Sequence, residues 1–391
     1  MATIDHTNNN IREVVRGTAL GVFDLMNNVY SSGMVPTHSS SKSTGEYWRY
    51  DKRYFMSTQV AKRTPGTVNP TAKYEAGTQL YKIDQFGLRV PVTDEEIAEA
   101  SDPLQPLADA SKFLTHNFIV DYELDFNNTY MADDAWALQA QGTTSYAGND
   151  PLGGNVTLPV GDNLKNDGSG SGVFLAFDQS GSEPLRIILS AMRAIQLRTG
   201  LRPNKLVIPR LVLDALRDND SVQVWADAIT SVHGGDEETI QILAINLGIA
   251  ASDIHVVEMV YQDITDITYT DRDSQNFNFG KNGAPTFAAD MQWVMEKSCL
   301  LYYTSNFMGK FSKTAAVCHK WDGLMSTISG ESGFSPANTG ADTGNLMMRS
   351  YYHKENLTHY VDGLFAYDND IVAPELGFFM KSCIEAAAGV A

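Results

Sequence analysis

The chain has 391 residues, of which 43% are hydrophobic and 19% charged, and 29 Lys and Arg against 47 Asp and Glu give a net charge of −18. This apolar content excludes wholesale disorder, the length predicts two or three domains, and the acidic balance argues against wrapping nucleic acid over the whole surface. There is no run of 18 apolar residues, no secretory signal, and no paired motif among Cys299, Cys318 and Cys383. We therefore expect a soluble protein made in a reducing compartment, with no membrane partner.

The charge is distributed unevenly along the chain. Residues 1–90 carry a net +4 and residues 91–391 a net −22. The contrast is sharpest between neighbours, since 42–90 carries +5 and 94–134 carries −10 with Lys112 as its one base. A basic segment beside an acidic one predicts complementary surfaces that meet, either within the chain or between copies. An ordinary solvated acidic helix face is the alternative.

The first elements predict segments that need a partner. Residues 1–45 are polar and read as an N-terminal arm that becomes ordered against another surface. Residues 46–63 and Gln79–Val92 are rich in strand-forming types, and Pro65-Gly66 between them supplies turn chemistry. Together they predict an extended hairpin loop over 46–92, which is too long to be stable alone. We expect the arm and hairpin to bury little surface within their own subunit.

Helical signals follow the hairpin. Thr93 precedes three acids, as an N-cap does, and a long helix interrupted at Pro103 and Pro106 is predicted to end near Ala140. Residues 142–172 contain 8 of the 31 glycines, which predicts a loop or glycine-rich insertion.

Helices and strands alternate through the rest of the chain. A helix is predicted from Ser182 to a stop at Gly200, a strand over Lys205–Ile208, and helices over Leu211–Leu216, Ser221–Val232 and Asp236–Leu247, the last stopped by Gly248. Further strands are predicted over Ile254–Tyr261, Gln292–Thr304, Lys313–Trp321 and Val361–Val372. The fold class is therefore α+β.

The sequence lacks a recognisable catalytic constellation. No phosphate-binding loop or serine nucleophile elbow is present, and the eight histidines show no metal-ligand spacing. His255, inside an apolar strand, is expected to be a core residue. The carboxylates Asp263, Asp266, Asp271 and Asp273 lack the spacing of a calcium loop. We expect no enzyme activity, no catalytic residues, no cofactor and no metal; the alternative of another class is an acidic hydrolase or carbohydrate-active enzyme that uses these four carboxylates.

The order of segments resembles a known family, the major capsid proteins of tailed bacteriophages with the Hong Kong 97 phage-type capsid fold. YWRYDKRYFMSTQVAKRT to QLYKIDQFGLRVPV resembles the extended loop, and VTDEEIAEASDPLQPLADASKFLTHNFIVDYELDF resembles the long spine helix. The peripheral-domain helix, with the strand and short helix that open the axial domain, is resembled by SEPLRIILSAMRAIQLRTGLRPNKLVIPRLVLDALRDND. The strand that returns to the peripheral domain is resembled by VDGLFAYDNDIVAPELGFFMKSCIE. The resemblance spans nearly the whole chain, and it rests on the order of the motifs rather than on any single one.

The resemblance implies a domain organisation. It comprises an N-terminal arm (1–45), an extended hairpin loop (46–92), a peripheral domain with spine helix and glycine-rich insertion (93–220), an axial domain (221–355) and a return to the peripheral domain (356–391).

The resemblance also implies a function. The chain is expected to self-assemble into hexamers and pentamers of an icosahedral phage head that encloses double-stranded DNA without sequence-specific binding. A separate scaffolding protein, a portal and a decoration protein are expected partners, with assembly in the host cytoplasm and residence in the virion. An encapsulin-like protein compartment is the alternative within the fold.

The charge pattern adds an expected contact between copies of the chain. The basic hairpin is predicted to dock on the acidic helix of a neighbouring copy. The basic residues expected to contribute are Arg49, Lys52, Arg53, Lys62, Arg63 and Lys73, and the acidic ones are Asp94, Glu95, Glu96, Glu99, Asp102 and Asp109.

Overall fold

The structure is a computed structural model, and it describes residues 33–50, 58, 60–69, 71, 76–100, 105–144, 156–157, 172–229, 235–262, 291–305, 313–324, 335–336 and 346–385. No helix in these ranges has both the length and the apolar character of a membrane span.

The described residues form strands and helices that alternate along the chain. The strands are β1 (Thr37–Ser40), β2 (Thr44–Tyr50), β3 (Ala76–Lys82), β4 (Asp84–Thr93), β5 (Leu138–Thr143), β6 (Val156–Thr157), β7 (Gly172–Leu175), β8 (Lys205–Pro209), β9 (Ile254–Val257), β10 (Val260–Gln262), β11 (Met291–Trp293), β12 (Cys299–Tyr302), β13 (Val317–Trp321), β14 (Ser335–Pro336), β15 (Met347–His353), β16 (Thr358–Asp370) and β17 (Gly377–Lys381). The helices are α1 (Asp94–Glu99), α2 (Pro106–Tyr130), α3 (Pro184–Thr199), α4 (Arg210–Asp218), α5 (Asp220–Ile229) and α6 (Asp236–Leu247).

A mixed sheet of seven strands forms one centre of the fold, in the order β6-β7-β5-β17-β12-β8-β9. The helices α3, α4 and α6 bury apolar side chains against it, among them Ile188, Leu213 and Leu243. Gly200 and Gly248 end α3 and α6 in the left-handed conformation, with φ of 72° and 62°. Both predicted helix stops are therefore confirmed, because glycine adopts this conformation without a Cβ clash.

A six-stranded sheet forms the second centre, and the long helix α2 lies on one of its faces. Phe118 and Tyr122, one helical turn apart, pack against Phe365 of β16 at ring-centroid distances of 6.4 and 5.5 Å. Tyr122 also lies edge-on to Tyr367, at 4.7 Å. These contacts place the exposed side of α2, which includes Asp109, Phe113 and His116, away from the sheet.

A third apolar cluster joins the two sheets. Tyr130 at the end of α2 donates a hydrogen bond from its hydroxyl to the Val317 carbonyl in the six-stranded sheet. Trp136, which is 1% exposed, packs near Tyr302 of the seven-stranded sheet and donates from Nε1 to the Tyr130 carbonyl at 2.6 Å. The end of α2 is thereby fixed between the sheets.

The predicted arm is corrected at its C-terminal end. Met34 and Val35 are buried, and the Tyr302 hydroxyl donates to the Met34 carbonyl at 3.1 Å. Residues 37–40 form β1, which pairs in parallel with β13. Residues 33–40 therefore pack on their own subunit, because an apolar pair and a sheet edge hold them there; residues 1–32 lie outside the described residues.

The predicted helix and hairpin boundaries are also corrected. The long helix ends at Tyr130 rather than near Ala140, because the chain turns at Asp134 (φ 67°) and residues 138–143 pair with β17 and β7. The hairpin ends at Lys82, since β4 pairs along ten residues with β16 of the same subunit instead of with β2.

The expected division at residues 93–220 and 221–355 does not follow the sheets. Residues 93–220 include α2, which packs on the six-stranded sheet, but also β5, β7 and β8, which are strands of the seven-stranded sheet. Residues 221–355 contribute β9 and β12 to the seven-stranded sheet but β13 and β15 to the six-stranded one. Pairing between strands far apart in sequence decides this grouping.

Candidate functional site

The hairpin is a two-stranded sheet of its own. Its β2 and β3 pair from Thr44 with Lys82 to Tyr50 with Ala76. The described residues 60–69 at its far end are all exposed, and Val60 and Val68 are 89% and 92% exposed. A two-stranded ribbon with apolar side chains in water is marginal in isolation, so this end is a candidate contact surface.

The basic residues of the predicted contact are partly placed. Lys62 and Arg63 lie at the exposed end of the hairpin, where Arg63 Nε donates to the Thr67 carbonyl at 2.6 Å. Arg49 lies in β2 opposite Gly77. Lys52, Arg53 and Lys73 lie outside the described residues.

Three of the predicted acidic residues have partners within the chain. Asp94 accepts from the Tyr352 hydroxyl at 2.7 Å and lies 3.5 Å from His359 Nε2. The Glu96 carboxylate accepts from the Thr93 backbone N–H and completes a capping box at the start of α1. Asp109 lies 3.7 Å from Lys112 Nζ, one turn along α2.

Two predicted acids remain as surface carboxylates. Glu95 and Glu99 have exposed side chains on α1, and Asp102 lies outside the described residues. Among the described residues, no ion pair within the chain joins Lys62 or Arg63 to any acid of α1. The structure thus leaves both charged surfaces open to solvent in the single chain.

The base of the hairpin carries a cluster that sequence reasoning missed. Tyr81 stacks on the fully buried ring of His319, with centroids 4.1 Å apart and planes at 4°. His319 Nδ1 lies 3.1 Å from Nδ1 of His38, its direct partner across β1 and β13. Burial, with a smaller contribution from His38, lowers the pKa of His319 to about 4. These two histidines are 281 residues apart, so no local pattern could have indicated their contact.

A second missed arrangement lies on the same face of the six-stranded sheet. Asp362 of β16 accepts from Arg89 of β4 on one side and from Arg349 of β15 on the other. The Arg89 guanidinium also lies over the rings of Tyr351 and Tyr360. Arg349 and Asp362 lie on consecutive strands, but Arg89 and Asp362 are 273 residues apart, and only the pairing of β4 with β16 brings them together.

The structure does not describe the carboxylates of the enzymatic alternative. Asp263, Asp266, Asp271 and Asp273 lie outside the described residues. His255 in β9 is partly buried, and burial together with nearby Lys205 lowers its pKa to about 4. The described residues contain no group of three or more His, Cys, Asp or Glu side chains placed to hold a metal ion.

Comparison with known proteins gives a likeness in structure. No family model matches the chain, and no curated protein matches it. The crystal structure of a phage-related protein from Bordetella bronchiseptica RB50 covers 96% of this chain and 98% of its own, with 12% identity and a TM-score of 0.56. The predicted α+β fold class is confirmed, and the chain shares its fold with this phage-related protein.

Two further structures are similar at lower scores. The mature capsid of bacteriophage PhiM1 covers 91% of this chain and 87% of its own, with 11% identity and a TM-score of 0.48. The virus-like particle from Pyrococcus furiosus covers 94% and 98%, with 8% identity and a TM-score of 0.44.

Proposed function

We propose that this chain is a major capsid protein, which self-assembles into hexamers and pentamers of an icosahedral phage head enclosing double-stranded DNA. The observation that carries the proposal is the exposed end of the hairpin, where two valines and two cations lie in solvent and no other described part of the subunit covers them. Such an element gains stability when a second copy covers it. The confirmed fold agrees with this role.

The docking partner of the hairpin would be the acidic helix pair of a neighbouring copy. Lys62 and Arg63 are cationic and exposed, and Glu95 and Glu99 are anionic and exposed. Phe113 of α2 is 55% exposed and would supply an apolar contact for Val60 or Val68. Opposite charges would set the register and partner choice, while apolar burial would supply most of the binding free energy.

The role we propose is structural rather than enzymatic. The net charge of −18 suits a shell that encloses DNA without binding it tightly, because like charges repel. A scaffolding protein, a portal and a decoration protein would be separate partners, and the assembled shell would reside in the virion after assembly in the host cytoplasm.

Sedimentation of the purified full-length chain tests the proposal. A capsid protein will give species far larger than the 42.9 kDa chain, and nuclease-protected DNA will accompany shells isolated from infected cells. Shells that contain protein cargo and no nucleic acid would instead identify an encapsulin-like compartment. Small discrete oligomers at every concentration and salt condition would refute the shell.

A further inference from the structure

The base of the hairpin rests on the six-stranded sheet through side chains. Among the described strands, β2 and β3 form a ladder only with each other. Tyr81 stacks on His319 and donates from its hydroxyl to Ser40 Oγ at 3.0 Å. Tyr47 donates from its hydroxyl to Asp370 at 2.8 Å. These contacts hold the hairpin base without a continuous ladder, so its position depends on the side chains of the surface below.

The surface below contains the histidine pair, His38 and His319. Their Nδ1 atoms lie 3.1 Å apart, and a hydrogen bond needs one donor and one acceptor. The contact therefore survives with one Nδ1 protonated and is lost when both carry hydrogen. Among the described side chains none accepts from or donates to His319 Nε2, which is buried, so a proton there would lack a partner.

We propose that the histidine pair is an acid-sensitive latch, in which protonation of both imidazoles separates them and releases the base of the hairpin from the six-stranded sheet. The latch lies within one chain and does not depend on shell assembly.

The direction of the pH effect follows from burial. Burial lowers the pKa of His38, and it lowers the pKa of His319 to about 4 from an ordinary value of 6.5. The docked hairpin is therefore favoured fully above pH 6.5, and this contribution declines as the pH falls from 6.5 to about 4. For His319 alone, the ratio of docked to released hairpin falls on the order of a hundredfold between pH 6.5 and about pH 4.

Other charged groups lie on the elements that pack around the latch. They are Asp368 and Asp370 on β16, Lys82 on β3, Asp84 on β4, Lys320 on β13 and Asp322 after it. Asp322 raises the pKa of His38 and so opposes the effect of burial.

Asp368 acts in the opposite sense to the histidines. It lies directly across from His319 and accepts from the Lys82 backbone N–H at 3.3 Å. Burial raises its pKa to about 6, and Asp370 and Asp84 add to the rise, so protonation of Asp368 favours the docked state as the pH falls below 6. The substitution Asp368→Asn removes this opposing titration and keeps an oxygen that can accept from Lys82.

The experiment follows the mobility of the hairpin in the full-length protein. A fluorescent dye is attached at Thr78→Cys, an exposed position on β3, and the three native cysteines are buried and protected from labelling. Dye anisotropy is recorded from pH 7.5 to 4 in the Asp368→Asn background, with light scattering to separate hairpin release from changes in particle size. We expect the ratio of docked to released hairpin to fall at least about tenfold by pH 4.5.

Two histidine variants decide the outcome. His319→Phe keeps a ring beneath Tyr81 but cannot titrate, so the anisotropy of this variant should change much less with pH than that of the parent, with His38 alone still titrating. His116→Phe, at an exposed position on α2, is the matched control and should behave as the parent. If His319→Phe does not fold, His38→Asn replaces it and should make the transition shallower. A flat parent profile, or a full transition in the latch variants, overturns the proposal.

Discussion

Arg89 and Asp362 are direct partners across β4 and β16, and Arg89 Nε lies 2.6 Å from Asp362 Oδ1. The Asp362 side chain is 8% exposed, and Arg349 lies on its other side at 2.9 Å. One buried carboxylate thus links three strands of the six-stranded sheet. Removing it would leave two guanidinium groups close together without their shared acceptor.

We expect Asp362→Ala to lower the free energy of unfolding by about 2 kcal/mol. This is less than the loss for a fully buried pair, because the Arg89 side chain is 53% exposed and solvent screens part of the interaction. Denaturant unfolding of the variant measures the change. Lys112→Ala, which breaks the exposed pair with Asp109, is the control and should change stability by less than about 0.5 kcal/mol. Equal effects of the two substitutions would contradict this account.

The close approach of α2 to β16 gives a second prediction. A Cβ on Gly363 would lie 2.3 Å from Phe118 Cε2, whereas a Cβ on Gly87 in the neighbouring strand would lie no closer than 3.7 Å to any atom. Gly363→Ala should therefore destabilise the protein by about 1–3 kcal/mol through overpacking. Gly87→Ala should be close to neutral, and thermal unfolding of both variants makes the comparison. Similar melting temperatures would show that the helix does not pack as closely as described.

Asp368 gives a prediction about pH and stability. Its pKa in the folded chain is about 6, above the ordinary 3.8, so its stabilising contribution is greatest below pH 3.8 and is lost as the pH rises through 6. Asp368→Asn should therefore raise the melting temperature at pH 7.5 and leave it unchanged near pH 4. Melting curves of variant and parent at both pH values provide the test, and an increase of the same size at both would show that titration is not the cause.

The charged surfaces predict a rescue experiment. Lys62→Glu with Arg63→Glu should reduce shell yield while the subunit stays folded, since both side chains are exposed. Adding Glu95→Lys and Glu99→Lys should restore part of the yield, because the pairs are re-formed with reversed sign. The charge-conserving exchange of Lys62→Arg with Arg63→Lys is the control.

Salt provides an independent check of the same contact. Assembly should weaken as salt rises, because the screening length falls to about 3 Å at 1 M. Normal yield and an unchanged salt response in the reversed variant would instead assign the interface to apolar side chains such as Val60 and Val68.

The sequence predicted those parts of the fold that local chemistry determines. Thr93 and Glu96 form the predicted cap, and Gly200 and Gly248 end their helices as expected. The aromatic and β-branched content of the hairpin strands predicts them correctly. It also places β4 in the hairpin, because the pattern of a strand does not show which other strand it pairs with. The order of the motifs was enough to indicate the fold.

The remaining features depend on contacts between distant segments. The turn at Asp134 that ends α2 before β5 depends on the burial of Trp136 between the sheets. The histidine pair joins residues 281 positions apart, and β1 belongs to the core only because β13 provides an edge. No periodicity within one segment records such pairings, so the site at the hairpin base became visible only in three dimensions.

Electron microscopy of the purified full-length protein tests the central claim most directly. A chain that forms capsid shells will show closed icosahedral particles or hexameric and pentameric capsomers, and fewer of them when Lys62 and Arg63 are reversed. A uniform population of small, discrete oligomers, unchanged by that reversal, would contradict the account.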